Sequence, residues 1–188
     1  MKQYRSLVKP LAAANTGKRF DSDHYVEGYA ATFAPYLLFE HDGVKYYEEV
    51  AADALDGADA ADVIMQYDHS GKVFARGSNH TLGIEPDSKG LFIFADLSKS
   101  QAARELYDEI SAGLITKMSW AFTIAEESFN KDTRTWRILK VNRVYDVSAV
   151  SLPANNDTVI QARKAIAGDR WAMDRRTRLL RLKTIMEV

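Results

Sequence analysis

Short apolar stretches separated by turn-forming residues fill the chain from about residue 63 to residue 151, the pattern of a sheet-forming domain. Residues 25–33 read as a first strand, in which Gly28, Ala30 and Ala31 are small enough to admit another layer closely. Residues 63–69 form a strand that ends at His69. Further strands are expected at 73–76, 81–84 and 91–97, separated by the turn signals Ser70-Gly71, Gly77-Ser78-Asn79 and 86–90. Strands at 117–125, 134–141 and 144–151 follow, the first two joined as a hairpin through 129–133.

Helical spacing is confined to a few places. Ser98 or Ser100 is placed to cap a helix over 101–111, with Ala102, Leu106, Glu109 and Ile110 in register and Gly113 as its stop. Residues 46–55 also read as helical, with an acidic start, after a loop spanning Pro35 and 40–43. Residues 1–22 are polar and irregular and read as a loose lead-in. Beyond Pro153, Leu179, Leu182 and Met186 fall at i, i+3 and i+7, with Ile185 beside them, a narrow apolar seam on a basic helix. Such a seam needs a partner: the body, a second copy of the chain in a homodimer, or another protein.

These elements predict a mainly β protein with peripheral helices (α+β), its strands closed into a β-barrel. Three regions follow: an N-terminal lead-in (1–22), a barrel domain (23–160) and a basic helical C-terminal tail (161–188). Composition refines this only at the ends. The chain has 188 residues, 46% of them hydrophobic, enough for one domain with a real core. Its net charge of −1 hides an asymmetry, because residues 161–188 carry eight basic against three acidic side chains. That tail suggests an acidic surface as partner, or simply a solvated basic helix face. Nucleic acid is not expected, because no basic–aromatic platform is present in the body.

The absence of cysteine removes disulfides, thiol nucleophiles and thiolate metal sites. No His-x-x-x-His spacing suggests a metal, and no Gly-rich phosphate loop suggests a nucleotide, so no cofactor is expected. No apolar run reaches membrane-spanning length and the N-terminus lacks the apolar core of a signal peptide, which points to a soluble intracellular protein.

Candidate chemistry resides in His69, Ser119 and Asp146, the three groups of a serine-hydrolase triad. Strand alternation puts Met118, Trp120, Phe122 and Ile124 on one bulky face of 117–125 and Lys117, Ser119, Ala121 and Thr123 on the other. Ser119 thus faces away from the main core, where small neighbours leave space for a substrate, while Trp120 packs. The same alternation turns Asp68 away from His69 and leaves Asp146, on another strand, to accept from Nδ1. Taken alone, each residue has a plainer reading. His69 before Ser-Gly suits a turn histidine, and Asp146 suits a strand-edge carboxylate paired with Arg143. His24, His41 and His80 read as surface histidines.

The combined pattern resembles the prohead (capsid maturation) proteases of tailed bacteriophages, which are distantly similar to the assemblin proteases of herpesviruses. The resemblance runs from about Glu27 to Thr158. It rests on the stretch 27–33 (Glu-Gly-Tyr-Ala-Ala-Thr-Phe), Asp68-His69, Gly113 followed by Ser119 and Phe122, and the stretch 146–155 (Asp-Val-Ser-Ala-Val-Ser-Leu-Pro-Ala-Asn).

The resemblance implies a herpesvirus-protease-like barrel and a serine endopeptidase acting inside the immature capsid in the host cytoplasm. Its substrates would be a scaffold protein or the major capsid protein precursor, and the enzyme itself. His69 matches the family histidine and Ser119 the nucleophile. Asp146 falls where the family usually has glutamate, one methylene longer. In the herpesvirus enzymes a second histidine is the third member, for which His80 is the candidate here. Arg143 is a candidate for electrostatic support. The competing reading is a catalytically inactive, protease-like scaffold or assembly protein.

Overall fold

Apolar side chains repeat at every second residue along most strands, and burying those faces produces two sheets over one core. The computed structural model describes residues 2–7, 11–13 and 18–151. The strands are β1 (Lys2–Leu7), β2 (Ala12–Ala13), β3 (Tyr25–Thr32), β4 (Tyr36–His41), β5 (Val44–Val50), β6 (Ile64–Tyr67) and β7 (Ser70–Arg76). After β8 (Leu82–Pro86) and β9 (Gly90–Asp96) come the helix α1 (Gln101–Ser111) and the long strands β10 (Lys117–Asn130) and β11 (Thr135–Val150).

The larger sheet runs β1-β10-β11-β5-β4, and β6 joins β11 further along the edge that β5 occupies, with β7 outside it. The smaller sheet runs β2-β3-β9-β8. The backbone of the larger sheet is the β10–β11 hairpin, whose second strand takes β5 and then β6 in parallel. Met65, Met118, Trp120, Phe122 and Val147 from this sheet meet Val26, Leu91 and Ile93 from the other, all essentially buried. Trp120 and Phe122 stack with centroids 3.8 Å apart. Fully burying a side chain of this size contributes roughly 1.5–3 kcal/mol, so this pair anchors the site-bearing strand firmly.

The expected closed barrel is not what forms. Pairing among the described residues leaves both sheets open: β1 and β4 end the path through the larger one, β2 and β8 the smaller. Among the described residues there is one helix rather than a set of peripheral helices. Many short strands with frequent turns suit two packed sheets as well as a barrel, and closure depends on pairing that no local pattern specifies.

The helix itself lies where expected. Ser100 caps it by accepting a hydrogen bond from the amide of Ala103, and Ala103, Leu106 and Ile110 bury its inner face.

Two other segments depart from expectation. Residues 36–50 form the β4–β5 hairpin, turning at Asp42 and Gly43 with φ of 51° and 73°. In β5 the inward positions are Tyr46, Glu48 and Val50, so a buried carboxylate interrupts what would otherwise read as clean alternation. Its partner is Arg5 of β1, in the segment expected to be loose. Arg5 Nη2 donates to Glu48 Oε2 at 2.9 Å and Nε donates to Oε1, with both side chains buried. The expected tail helix and the Pro153 terminator lie outside the described residues.

Candidate active site

Pairing register assigns each side chain near Ser119 to a face. Ser119 stands opposite Ser148 on β11 and Ser6 on β1, while Trp120, one residue on, stands opposite Val147 and Arg5. The core therefore lies on the Trp120 side. Lys2, Tyr4, Ser119, Ala121, Asp146 and Ser148 belong to the opposite face, as alternation predicts. On the next strand, β6, Ile64 pairs with Asp146 and Gln66 with Ser148.

His69 reaches this face through a turn. Tyr67 pairs with Ser70, leaving Asp68 and His69 as a two-residue loop with φ of 47° and 57°. Positive φ at both positions is the mark of a type I′ hairpin, whose twist suits the flanking strands. Alternation within a strand consequently does not decide between Asp68 and Asp146, because neither Asp68 nor His69 is in the strand. What does decide is that Asp68 is engaged elsewhere. Its carboxylate accepts from Ser151 N and Ser151 Oγ, both at 3.1 Å, tying the turn to the end of β11.

The three expected residues come together. Ser119 Oγ donates to His69 Nε2 at 2.5 Å, and His69 Nδ1 donates to Asp146 Oδ1. A carboxylate can only accept, so the hydrogen bond to Asp146 fixes the tautomer that leaves Nε2 free to accept. The shorter acid spans the gap because β6 is hydrogen-bonded directly to β11, which brings the His69 turn against Asp146.

The surroundings of Asp146 set its charge. Its oxygen Oδ1 also accepts from Ser148 Oγ at 2.9 Å, and Lys2 Nζ lies 3.3 Å from Oδ2. Burial pushes the carboxyl pKa up. The His69 hydrogen bond and charge, the Ser148 hydroxyl and the Lys2 cation outweigh it and hold the pKa below the ordinary value. Asp146 is therefore a carboxylate at neutral pH.

Sequence reasoning missed Lys2, Tyr4 and Ser148. Tyr4 packs edge-on against the His69 ring, with centroids 4.7 Å apart. Ser148 carried a usable signal, since it shares a face with Asp146 two residues away. Residues 2–7 carried none, because their polar run lacks an apolar alternation. The expected open space beside Ser119 is not found either. Ser119 has no exposed surface, because β1 and the His69 turn cover a face that sequence alone leaves bare.

The remaining candidates lie elsewhere. Arg143 Nε is 3.4 Å from Asp59 Oδ2, and its guanidinium sits over the Tyr145 ring, so it is not the partner of Asp146. His80 is exposed on the turn between β7 and β8 and His41 lies beside Asp42, while the His24 ring meets Tyr107. No group of three or more His, Cys, Asp or Glu among the described residues is arranged to hold a metal ion. No helix among the described residues is long and apolar enough to cross a membrane.

A hydroxyl, an imidazole and a carboxylate in series form a proton relay able to activate the hydroxyl for attack on a carbonyl. Neither the curated proteins nor the solved structures provide a match. The family model of the caudovirus prohead serine proteases matches residues 13–169, a span that contains His69, Ser119 and Asp146. Matched over most of its length, the chain belongs to the caudovirus prohead serine protease family.

Proposed function

We propose that this chain is a serine endopeptidase of phage prohead maturation, with Ser119 as nucleophile, His69 as general base and acid, and Asp146 as the group that orients and stabilises the imidazolium. The observation that carries the reading is the unbroken relay from Ser119 Oγ to His69 Nε2 at 2.5 Å and from His69 Nδ1 to Asp146 Oδ1. As Ser119 Oγ bonds to a peptide carbonyl carbon, its proton passes to Nε2. His69 then delivers that proton to the departing amine, leaving an acyl-enzyme. Water, deprotonated by the same imidazole, releases the acid and restores Ser119. The carbonyl oxygen requires preorganised donors as it gains charge.

Family membership supports a capsid or scaffold protein precursor as substrate, cut within the prohead in the host cell, and self-cleavage fits the same chemistry. Since Ser119 has no exposed surface, the groups above it must move before a peptide enters. That burial is also the observation favouring the second reading, an inactive protease-like assembly protein.

Co-expression with the capsid and scaffold proteins of the same phage, read by intact mass, separates the two. Wild-type chain should trim one of them at a defined bond and Ser119→Ala should leave both intact. Identical masses with the two enzymes would overturn the proposal.

A further inference from the structure

The N-terminal strand lies wholly outside the span matched by the family, yet it reaches the acid of the relay. Lys2 and Tyr4 of β1 both precede residue 13, where that match begins. The Lys2 ammonium lies 3.3 Å from Asp146 Oδ2, across 144 positions of sequence. It sits between two rings, 4.7 Å from the Tyr145 centroid and 5.5 Å from that of Tyr4. Tyr4 in turn packs edge-on against His69. The lysine is thus held by cation–π contacts from β1 and β11 while it addresses the carboxylate.

We propose that Lys2 is a positioning residue of the triad, holding Asp146 Oδ2 so that Oδ1 stays directed at His69 Nδ1. The inference rests on the serine peptidase reading above. A carboxylate bound through one oxygen is able to swing about its Cβ–Cγ bond. One bound through both oxygens keeps its plane, and with it the direction of the imidazole. Oδ1 takes His69 and Ser148, and Oδ2 takes Lys2, so each oxygen has a donor. Lys2 also supplies charge: its ammonium is among the groups that hold the Asp146 pKa below the ordinary value. Since Lys2 acts through Asp146, its loss should slow the chemical step without altering substrate recognition.

The test measures how fast a fluorophosphonate probe labels the full-length protein, by intact mass, across a pH series. Wild type, Ser119→Ala, Lys2→Met and Lys2→Arg are compared alongside their melting temperatures. Lys2→Met is expected to label about tenfold more slowly at neutral pH, the scale of losing one contact to a charged group. The acid end of its pH profile should move to higher pH, because Asp146 loses one of the groups that hold its pKa down. Lys2→Arg should recover most of the rate.

The chain lacks cysteine, so Lys2→Cys offers a single thiol for alkylation. Bromoethylamine installs an ammonium at nearly the lysine position and iodoacetamide a neutral adduct. Only the ammonium adduct should recover the rate, which decides the matter even if Lys2→Met melts early. Wild-type rate and pH profile in Lys2→Met, or equal rates for the two adducts, with Ser119→Ala silent, would overturn the role of Lys2. Equal labelling of Ser119→Ala and wild type would instead overturn the serine reading beneath it.

Discussion

Ser119 and Ser148 stand directly opposite each other in the β10–β11 ladder, and the two hydroxyls serve different ends of one relay. Ser119 donates to His69, whereas Ser148 donates to Asp146 Oδ1 at 2.9 Å. Ser148 itself is buried. Ser148→Ala is expected to lower kcat by about tenfold, the loss of one hydrogen bond to a buried charged group, with KM little changed. Steady-state cleavage of whichever protein the co-expression shows to be cut checks this, and a change confined to KM would place Ser148 in substrate binding instead.

Asp68 holds the histidine turn in two ways, adopting a positive φ of 47° and anchoring Ser151 through two hydrogen bonds. Alanine tolerates that backbone poorly, at a cost of about 1–2 kcal/mol, whereas asparagine tolerates it well and keeps an acceptor. Asp68→Ala should therefore lose stability and activity together in urea titration and cleavage assays, and Asp68→Asn should lose far less of both.

The Arg5–Glu48 pair couples β1 to β5 inside the protein. Removing one member strands the other without a counter-charge, so Glu48→Ala should destabilise by about 3–5 kcal/mol. Replacing both by apolar residues of similar volume should recover most of that loss. Urea midpoints of the single and double variants check the contrast, and equal loss in both would contradict it.

Asp96 provides a pH dependence. Burial raises its carboxyl pKa, but hydrogen bonds from Ser22 at 2.5 Å and Ser98 N at 2.9 Å, with Lys99 at 3.0 Å, bring it down to about 2 from 3.8. The folded value lies below the unfolded one, so the stabilisation is complete above about pH 4 and is lost as pH falls toward 2. Asp96→Asn should melt lower than wild type at pH 7, with the gap narrowing below pH 4. A gap that stays constant would refute the linkage.

Much of this was legible in the sequence where one physical rule governed. Alternation in 117–123 separated Ser119 from Trp120 because β10 lies between two strands with a core on one side only. The cap at Ser100 and the following helix needed nothing beyond local chemistry. Legibility failed where long-range pairing decided. Residues 2–7 and 44–50 become strands partly because Arg5 and Glu48 neutralise each other, and neither segment carries that information alone. Strand logic picked Asp146 over Asp68 for a reason that does not apply, since the pair forms a turn and Ser151 holds Asp68 away. The barrel was inferred from the balance of many short strands and a few helices, whereas pairing among the described residues leaves both sheets open.

The account stands or falls on Ser119 being a nucleophile activated by His69. The most direct measurement is peptide mapping of the wild-type chain after fluorophosphonate treatment, with His69→Ala in parallel. The account predicts a single phosphonyl adduct on Ser119, slower by about 10⁴-fold or more without His69. An adduct on another serine, or labelling of Ser119 at the same rate in His69→Ala, would contradict it.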